Sequence, residues 1–248
     1  MRAWRKVKKG VRILLQPQFA GPLIRHRVTA AVEHIEVIKR TSAQTLIDVG
    51  ANKGQFSLAF RKFMPNSAIV AFEPLSEACA SFKKLFEGDR LVSLHQVAIS
   101  DTRGDAIYHV ADRSDSSSLL KPGNGEAAAF GVHAESTRVV PVRRLDEFVR
   151  PAVLSRPILL KIDVQGAELQ VLRGFEGLED VDYVYVELSF VELYEGQPLL
   201  KDVADYLHGS GFELAGVFNQ VSTTRFGPTQ ADFLFRSSAR RERGDAKE

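Results

Sequence analysis

Acidic side chains stand at or near the ends of three apolar stretches in this sequence. Asp48 lies near the end of the first stretch, Glu73 ends the second, and Asp163 ends a later one. In open α/β sheets the carboxyl ends of the parallel strands meet at one edge, where ligands bind. We therefore expect these carboxylates to share a site, where they can accept hydrogen bonds from hydroxyls or take up protons.

A glycine-rich turn follows Asp48 and runs from Gly50 to Gly54 before a helical pattern begins. A strand, a glycine-rich turn and a helix in succession are typical of nucleotide sites in α/β proteins. A P-loop is excluded, because Lys53 precedes Gly54 and Gln55 follows it. The dinucleotide-binding fingerprint Gly-x-Gly-x-x-Gly also fits poorly, because its third glycine is missing from this turn.

Asp48 favours a ligand without phosphate, because like charges at close range are unfavourable. S-adenosylmethionine fits, since it carries an ammonium and a sulfonium group and no phosphate. Glu73 lies 23 positions after Gly50, where an acid accepts both ribose hydroxyls in nucleotide-binding sheets. The residues predicted to bind this cofactor are Asp48, Gly50, Ala51, Asn52, Gly54, Phe56, Glu73, Pro74, Ala98, Ile99, Ser100 and Asp163.

The elements that must position these residues form a β-α-β-α-β unit with parallel strands. Strands are predicted over residues 44–50, 68–74 and 91–99, and helices over 54–64 and from the N-cap Ser76 to residue 86. Further strands are predicted over 105–111, 138–143, 157–163, 181–188, 212–218 and 232–235, with helices over 145–149, 167–172 and 199–207.

Residues 112–136 form a long connection rich in Ser, Gly and Ala. Connections of this length are usually functional or disordered. A lid on the substrate side and an unstructured surface loop are both open interpretations. Before the first strand, apolar residues at helical spacing predict one helix over residues 24–40.

Four segments resemble the FkbM family of S-adenosylmethionine-dependent methyltransferases, and they occur in the family's order. They are residues 48–56 (DVGANKGQF), 72–74 (FEP), 97–100 (VAIS) and 160–168 (LKIDVQGAE). The resemblance runs from about residue 45 to residue 235. It implies a Rossmann-like class I methyltransferase fold with a mostly parallel seven-stranded sheet, helices on both faces and an inserted hairpin region. It also implies O-methylation of a sugar or of a natural product. The family commonly has Glu where this chain has Gln165.

The acceptor side requires a group that takes a proton from an alcohol. Asp163 and Glu187 lie at the carboxyl ends of two predicted strands, and Lys161 shares a strand face with Asp163. We expect these three residues to be catalytic. Clustered acids can instead hold Mg²⁺ or Ca²⁺, although we favour a base without metal. Ser117, Ser118, His133 and Glu168 are the predicted substrate-binding residues.

The basic residues up to Arg27 are accompanied by no Asp or Glu, although the whole chain has a net charge of only +2. Such an arm can contact anionic lipid at a membrane surface. The chain divides into an arm and preface helix (1–40), a catalytic domain (41–236) and a disordered charged tail (237–248). The single cysteine, Cys79, fits a reducing compartment, and no stretch has the ~20 apolar residues of a membrane span.

We therefore expect a cytoplasmic enzyme with a small-molecule or glycan acceptor, and a membrane association through the arm stays open. Two alternatives are an NAD-linked oxidoreductase and a non-catalytic nucleotide-binding module at a membrane. Binding of RNA is disfavoured, because the core shows no basic stripe with interleaved aromatic residues.

Overall fold

The computed structural model describes residues 20–239. Its strands are β1 (Thr45–Val49), β2 (Ala68–Phe72), β3 (Val92–His95), β4 (Ala98–Ile99), β5 (Gly104–Ala111), β6 (Ala134–Arg143), β7 (Ile158–Ile162), β8 (Tyr183–Ser189), β9 (Phe212–Thr223) and β10 (Gly227–Ser237). The α-helices are α1 (Ala20–His26), α2 (Ile35–Thr41), α3 (Gln55–Phe63), α4 (Ser76–Leu85), α5 (Asn124–Phe130), α6 (Glu168–Arg173) and α7 (Leu200–Gly209).

Seven strands form the main sheet in the order β3-β2-β1-β7-β8-β10-β9. The neighbours from β3 to β8 pair in parallel, whereas β10 is antiparallel to both β8 and β9. This arrangement confirms the predicted Rossmann-like, mostly parallel sheet. One apolar cluster includes Leu46, Phe60 and Leu159 and lies under α3, and a second includes Leu160 and Leu172 and lies on the other face. Helices therefore cover both faces.

The strand register determines which polar residues become neighbours. Asp48 on β1 pairs with Lys161 on β7, and Lys161 pairs with Tyr185 on β8. On β8 and β10, Glu187 pairs with Asp232. Directly paired residues point to the same face of a sheet, and side chains two positions apart on a strand do so as well. These polar side chains therefore lie on one face, the face covered by α3.

The strand predicted over residues 91–99 is two strands in different sheets. Residues 92–95 pair with β2, whereas Ala98 and Ile99 pair with β6 in a three-stranded sheet of order β4-β6-β5. The single apolar run was misleading because both halves are extended, and only the change of pairing partner separates them. The inserted hairpin region of the predicted fold is this second sheet, in which β5 and β6 are antiparallel.

The single helix predicted over residues 24–40 is wrong at its centre. The helix α1 ends at His26, Arg27 has φ +55°, and a 3₁₀ turn at Val32–His34 precedes α2. The backbone N–H of Ala31 donates to the carbonyl of Gln55, 3.0 Å away. Three of the apolar residues that suggested a continuous helix, Val28, Ala31 and Val32, are buried between the two helices, so their spacing reflects the packing of this connection.

The connection over residues 112–136 is folded, which excludes the unstructured loop. It contains a 3₁₀ turn at Ser114–Ser116 and the helix α5, and Ser118 exchanges two backbone hydrogen bonds with His109. At the other end of the chain, Ser237 belongs to β10 and is buried, so the tail does not begin there. Most of the basic arm and residues 240–248 lie outside the described residues.

No helix within residues 20–239 has the length and apolar character required to cross a membrane.

Candidate active site

A cavity opens at the carboxyl edge of β1, β2 and β7 and contains about 1050 Å³ of empty space, including its open mouth. Most of the predicted site residues line the cavity: Gly50, Ala51, Asn52, Phe56, Glu73, Pro74, Ala98, Ile99, Ser117, Lys161 and Asp163. The cavity lining does not include Asp48, Gly54, Ser100, Ser118, His133, Glu168 or Glu187.

The glycine-rich turn brings two segments of backbone together at the floor of the cavity. Gly50 has φ +78°, a conformation that favours glycine. A Cβ at this position would lie 1.9 Å from the carbonyl oxygen of Asp163. Gly54 also has a positive φ, +90°, but it packs against the ring of Phe82 at the start of α3. Gly50 therefore allows the turn to approach the Asp163 carbonyl, whereas Gly54 allows the turn to pack against Phe82.

A buried ion pair lies beneath this turn. The Lys161 ammonium is 3.2 Å from Asp48 Oδ1 and 3.6 Å from Asp163 Oδ2, and it donates to the Gly50 carbonyl at 3.0 Å. The Ser57 hydroxyl donates to Asp48 Oδ2 at 2.6 Å. Burial acts to lower the pKa of Lys161, but the charges of Asp48 and Asp163 outweigh it and raise that pKa.

The position of Asp48 corrects the argument made from sequence. We expected its carboxylate to contact the ligand and to repel phosphate. The carboxylate is instead fully buried and faces Lys161, which compensates its charge. Repulsion of phosphate therefore depends on the acids that do line the cavity, which are Glu33, Glu73, Asp115 and Asp163.

Glu73 follows β2 and is 5% exposed in the cavity wall. Its Oε2 accepts the Asn52 N–H and its Oε1 accepts the Leu75 N–H, each at 2.9 Å. Burial raises the pKa of Glu73 to about 7, despite these two hydrogen bonds. A buried carboxylate fixed by backbone donors offers rigid acceptor positions for a pair of hydroxyls.

Gln165 connects the two predicted catalytic acids. Its Nε2 donates to Asp163 Oδ1 at 2.6 Å and to Glu187 Oε2 at 3.0 Å, while its Oε1 lies 3.1 Å from the Tyr194 hydroxyl. Gln230 also donates to Glu187. Burial, and then the charge of Asp163, raises the pKa of Glu187 well above its usual range. Glu187 therefore lies behind the cavity wall, linked to Asp163 through an amide.

Three predicted substrate-binding residues do not line the cavity. Glu168 is 2% exposed and accepts the backbone N–H groups of Val164 and Gly166, at 3.3 and 2.9 Å. Burial raises its pKa to about 7. The Ser118 hydroxyl donates to the Val164 carbonyl at 3.1 Å, and His133 is exposed away from the cavity. Of the four residues, only Ser117 lines the cavity.

The last predicted cofactor residue outside the cavity is Ser100. Its hydroxyl donates to Asp101 Oδ1 at 3.2 Å, and its N–H donates to the Arg143 carbonyl. Ala98 and Ile99, immediately before it, do line the cavity. Within residues 20–239, no group of three or more His, Cys, Asp and Glu side chains is placed to hold a metal ion.

Several residues of the cavity wall were not predicted from the sequence. They include Glu33, His34, Gln55, Tyr108, Asp115, Leu119 and Gln165. Among these residues, only Gln165 had been noted in the sequence, because it stands where the family commonly has Glu. The segment Ala31 to His34 reaches the cavity although the boundary drawn at residue 40 placed it outside the catalytic domain. Gln55 and Gln165 lie within two of the segments that resemble the family, whereas the other residues belong to no local motif and are brought to the site by folding alone.

His34 belongs to a polar network with residues of the last three strands of the main sheet. Its Nδ1 lies 2.8 Å from the Tyr185 hydroxyl and 3.4 Å from Asp232 Oδ2. The Tyr185 hydroxyl donates to Asp232 Oδ2 at 2.9 Å, and Asn219 Nδ2 donates to the same oxygen at 2.7 Å. The His34 ring also packs on Phe56, with ring centroids 5.3 Å apart.

The order of the main sheet and the acid-lined cavity at its carboxyl edge fit a class I S-adenosylmethionine-dependent methyltransferase. Residues 48–214 match the Methyltransferase FkbM domain, and the chain belongs to this family. Family membership decides against the NAD-linked oxidoreductase and the non-catalytic module. It also establishes S-adenosylmethionine as the cofactor.

Two curated relatives cover most of the chain. The chain is 30% identical to 2-O-methyltransferase NoeI of Sinorhizobium fredii over 231 residues, 88% of this chain and 94% of that protein. It is 27% identical to 31-O-demethyl-FK506 methyltransferase FkbM of Streptomyces tacrolimicus, over 67% of this chain and 72% of that protein. A solved magnesium protoporphyrin IX methyltransferase of Synechocystis with bound S-adenosylmethionine gives a TM-score of 0.44 at 9% identity, covering 84% of this chain and 81% of that one.

Proposed function

We propose that this enzyme methylates a hydroxyl group of a sugar or of a hydroxylated natural product. The names of two relatives specify O-methylation, one at a 2-oxygen and the other at the 31-oxygen of FK506. The observation that carries the proposal is the Asp163 carboxylate, which lines the cavity with an ammonium on one side and an amide on the other. A carboxylate held in this way is a fixed proton acceptor.

The chain's residues fit the cofactor. The lack of a side chain at Gly50 lets the turn approach the Asp163 carbonyl closely at the cavity, and Glu73 offers a carboxylate fixed by two backbone donors for the ribose hydroxyls. Ala98 and Ile99 provide an apolar wall for the adenine. Bound S-adenosylmethionine supplies an electrophilic methyl group on a sulfonium centre.

Asp163 accepts the proton of the acceptor hydroxyl as the new O–CH₃ bond forms and the S–CH₃ bond breaks. Lys161 and Gln165 position this carboxylate, because each contacts one of its two oxygens. Glu187 accepts the second Nε2 hydrogen of Gln165 and thereby orients the amide, without contacting the substrate itself. Residues 31–34 and the folded connection bearing Asp115 and Ser117 close the sides of the cavity and limit the access of water.

Incubation with methyl-labelled S-adenosylmethionine and a panel of cell-envelope glycans and small glycosides tests the function. We expect a mass gain of one CH₂ group on a hydroxylated product. Asp163→Asn should abolish turnover while leaving the dissociation constant of the cofactor within about twofold, since a lost proton acceptor typically costs 10²–10⁴-fold in rate. The exposed Asp105→Asn is the matched control. Near-normal turnover of Asp163→Asn would exclude Asp163 as the base, and methylation at nitrogen would exclude the O-methyltransferase proposal.

We further propose that the basic arm preceding residue 28 contacts anionic membranes. The proposal depends on the clustered Arg and Lys residues and the absence of acids among them. Sedimentation with vesicles containing phosphatidylserine should retain the protein at low salt, and vesicles of phosphatidylcholine alone should not. Equal behaviour with both vesicles would contradict the proposal.

A further inference from the structure

His34 has one ring nitrogen in the polar network described above and one that contacts none of the described residues. The Nδ1 atom lies between the Tyr185 hydroxyl and Asp232. No hydrogen bond or ion pair within residues 20–239 involves Nε2. The side chain is 19% exposed and forms part of the cavity wall. The ring therefore has a free polar atom at a ligand cavity, and its other polar atom is fixed.

The hydrogen bonds around Nδ1 favour one tautomer of His34. The Tyr185 hydroxyl has a single hydrogen, which it donates to Asp232. Asn219 Nδ2 lies 2.7 Å from the same Asp232 oxygen and 3.3 Å from His34 Nδ1, so its shorter hydrogen bond is the one to Asp232. The 2.8 Å contact between His34 Nδ1 and the Tyr185 oxygen then needs a hydrogen on Nδ1. In a neutral imidazole this leaves Nε2 with a lone pair and no hydrogen, so Nε2 is a hydrogen-bond acceptor.

His34 lies on the acceptor side of the cavity. Its partners Tyr185 and Asp232 are on β8 and β10, whereas Glu73 follows β2, on the opposite side of β1 and β7. The Phe56 ring lies beside both groups: its centroid is 5.3 Å from that of the His34 ring and 5.9 Å from Lys161 Nζ. The cavity lining thus includes Asp163 and His34, two residues that can each accept a hydrogen bond from a hydroxyl.

We propose that His34 is a specificity-determining residue whose Nε2 accepts a hydrogen bond from a second hydroxyl of the acceptor. Two separate acceptors select a polyhydroxylated molecule, such as a sugar ring, over a compound with one hydroxyl. A site that hydrogen-bonds a substrate hydroxyl discriminates strongly against the analogue that lacks it. The inference rests on the proposed function, because it assigns the second contact of the same acceptor. Neither His34 nor Asp232 lies within the matched family domain.

The tautomer is measured first, without any acceptor. Nitrogen-15 NMR of the protein labelled at histidine, bound to S-adenosylhomocysteine at pH 8, should show His34 with a hydrogen on Nδ1 and none on Nε2. The Tyr185→Phe variant should lose this preference, because Nδ1 loses its nearest acceptor. A hydrogen on Nε2 in the wild-type protein at this pH would overturn the inference whatever the acceptor is.

The second measurement compares His34→Ala with the exposed control His208→Ala. The probes are methyl glycosides of hexoses and of 6-deoxyhexoses, each paired with its monodeoxy derivatives. For a glycoside that the wild type methylates, removal of one particular hydroxyl should raise the KM about tenfold, which corresponds to the loss of one hydrogen bond. His34→Ala should raise KM for the parent glycoside similarly and no longer distinguish it from the deoxy derivative.

The outcomes separate this inference from the proposed function. Cofactor affinity in His34→Ala should stay within about twofold of wild type, because His34 is assigned to the acceptor. Weakened binding of S-adenosylmethionine with unchanged acceptor KM would overturn the inference and place His34 at the cofactor. Intact selectivity in His34→Ala would overturn it as well, while O-methylation itself stood. Absence of methyl transfer to any hydroxyl in the wild type would instead remove the proposed function.

Discussion

Lys161 and Asp48 form a buried ion pair that joins the floor of the cavity to the glycine-rich turn. The ammonium lies 3.2 Å from Asp48 Oδ1 and also donates to the carbonyl of Gly50. Asp48 is fully buried and Lys161 is 7% exposed. Each charge depends on the other, because an isolated charge in this environment would be strongly unfavourable. The pair therefore fixes the turn to β7, where Asp163 follows.

Replacement of Lys161 with methionine should destabilise the protein strongly. The variant keeps most of the side-chain volume but leaves Asp48 buried without its counter-ion, which typically costs 3–5 kcal/mol. Urea unfolding would measure the loss. Lys201→Met removes an exposed ion pair with Asp205 and should leave the unfolding curve unchanged within error. The double variant Asp48→Asn, Lys161→Met should recover part of the loss, and a double variant no more stable than Lys161→Met would contradict this explanation.

Gly50→Ala should prevent cofactor binding, whereas Gly88→Ala should not. Both glycines have similar positive φ angles, +78° and +80°, so both substitutions carry the same backbone cost of about 1–2 kcal/mol. Only Gly50 faces a close neighbour, the Asp163 carbonyl at 1.9 Å from the added Cβ, while nothing lies within 4 Å at Gly88. Calorimetry with S-adenosylmethionine and thermal unfolding would separate the two effects. If both variants bound the cofactor with the same affinity and unfolded at the same temperature, the expected clash between the added Cβ at position 50 and the Asp163 carbonyl would be contradicted.

The sheet and the turn were predictable from the sequence because their signals are local. The apolar run through Val49, the glycine spacing after it and Glu73 at the end of β2 are each contained within a few residues. The partner of Asp48 was not predictable, because the register that pairs it with Lys161 joins strands more than a hundred residues apart. Because that register was unknown, Asp48 was predicted from the sequence to contact the ligand.

The acceptor side of the site was less predictable than the turn. His34 is 151 positions from Tyr185 and 185 from Asn219, so no local pattern connects them. The side chains of Glu168 and Ser118 could hydrogen-bond a substrate, but they bond instead to backbone groups of the loop that follows β7. Residue type alone does not reveal whether a polar group faces a ligand or the protein's own backbone.

Cofactor affinity should rise with pH as Glu73 loses its proton. Burial raises the pKa of Glu73 to about 7, and only the ionised form accepts hydrogen bonds from both ribose hydroxyls. Affinity for S-adenosylmethionine should therefore increase about tenfold between pH 6 and pH 8. Glu73→Gln should bind weakly and with little pH dependence. Calorimetry across this range is the measurement, and a wild-type affinity independent of pH would refute the assignment.

Protein stability has the opposite pH dependence, and Glu168 provides the control. The pKa values of Glu73 and Glu168 are about 7 in the folded protein and 4.5 as ordinary values, so the folded state retains protons that the unfolded chain loses. The stability from these protonated carboxyls is fully present below pH 4.5 and is lost as the pH rises through about 7. Glu168→Gln should flatten this fall in urea unfolding, yet leave the pH dependence of cofactor binding intact.

Gln165→Glu should move the acidic limb of the pH–rate profile to higher pH. The amide donates to Asp163 at 2.6 Å and to Glu187 at 3.0 Å. A carboxylate there would face two others, and like charges that share a site raise one another's pKa. We expect a shift of about one pH unit in kcat, with stability at pH 7 lower by about 1–3 kcal/mol from the lost donors. Gln165→Ala removes the same donors without adding a charge, so its profile should shift less. Coincident profiles for Gln165→Glu and the wild type would mean that the proton acceptor is a group other than Asp163.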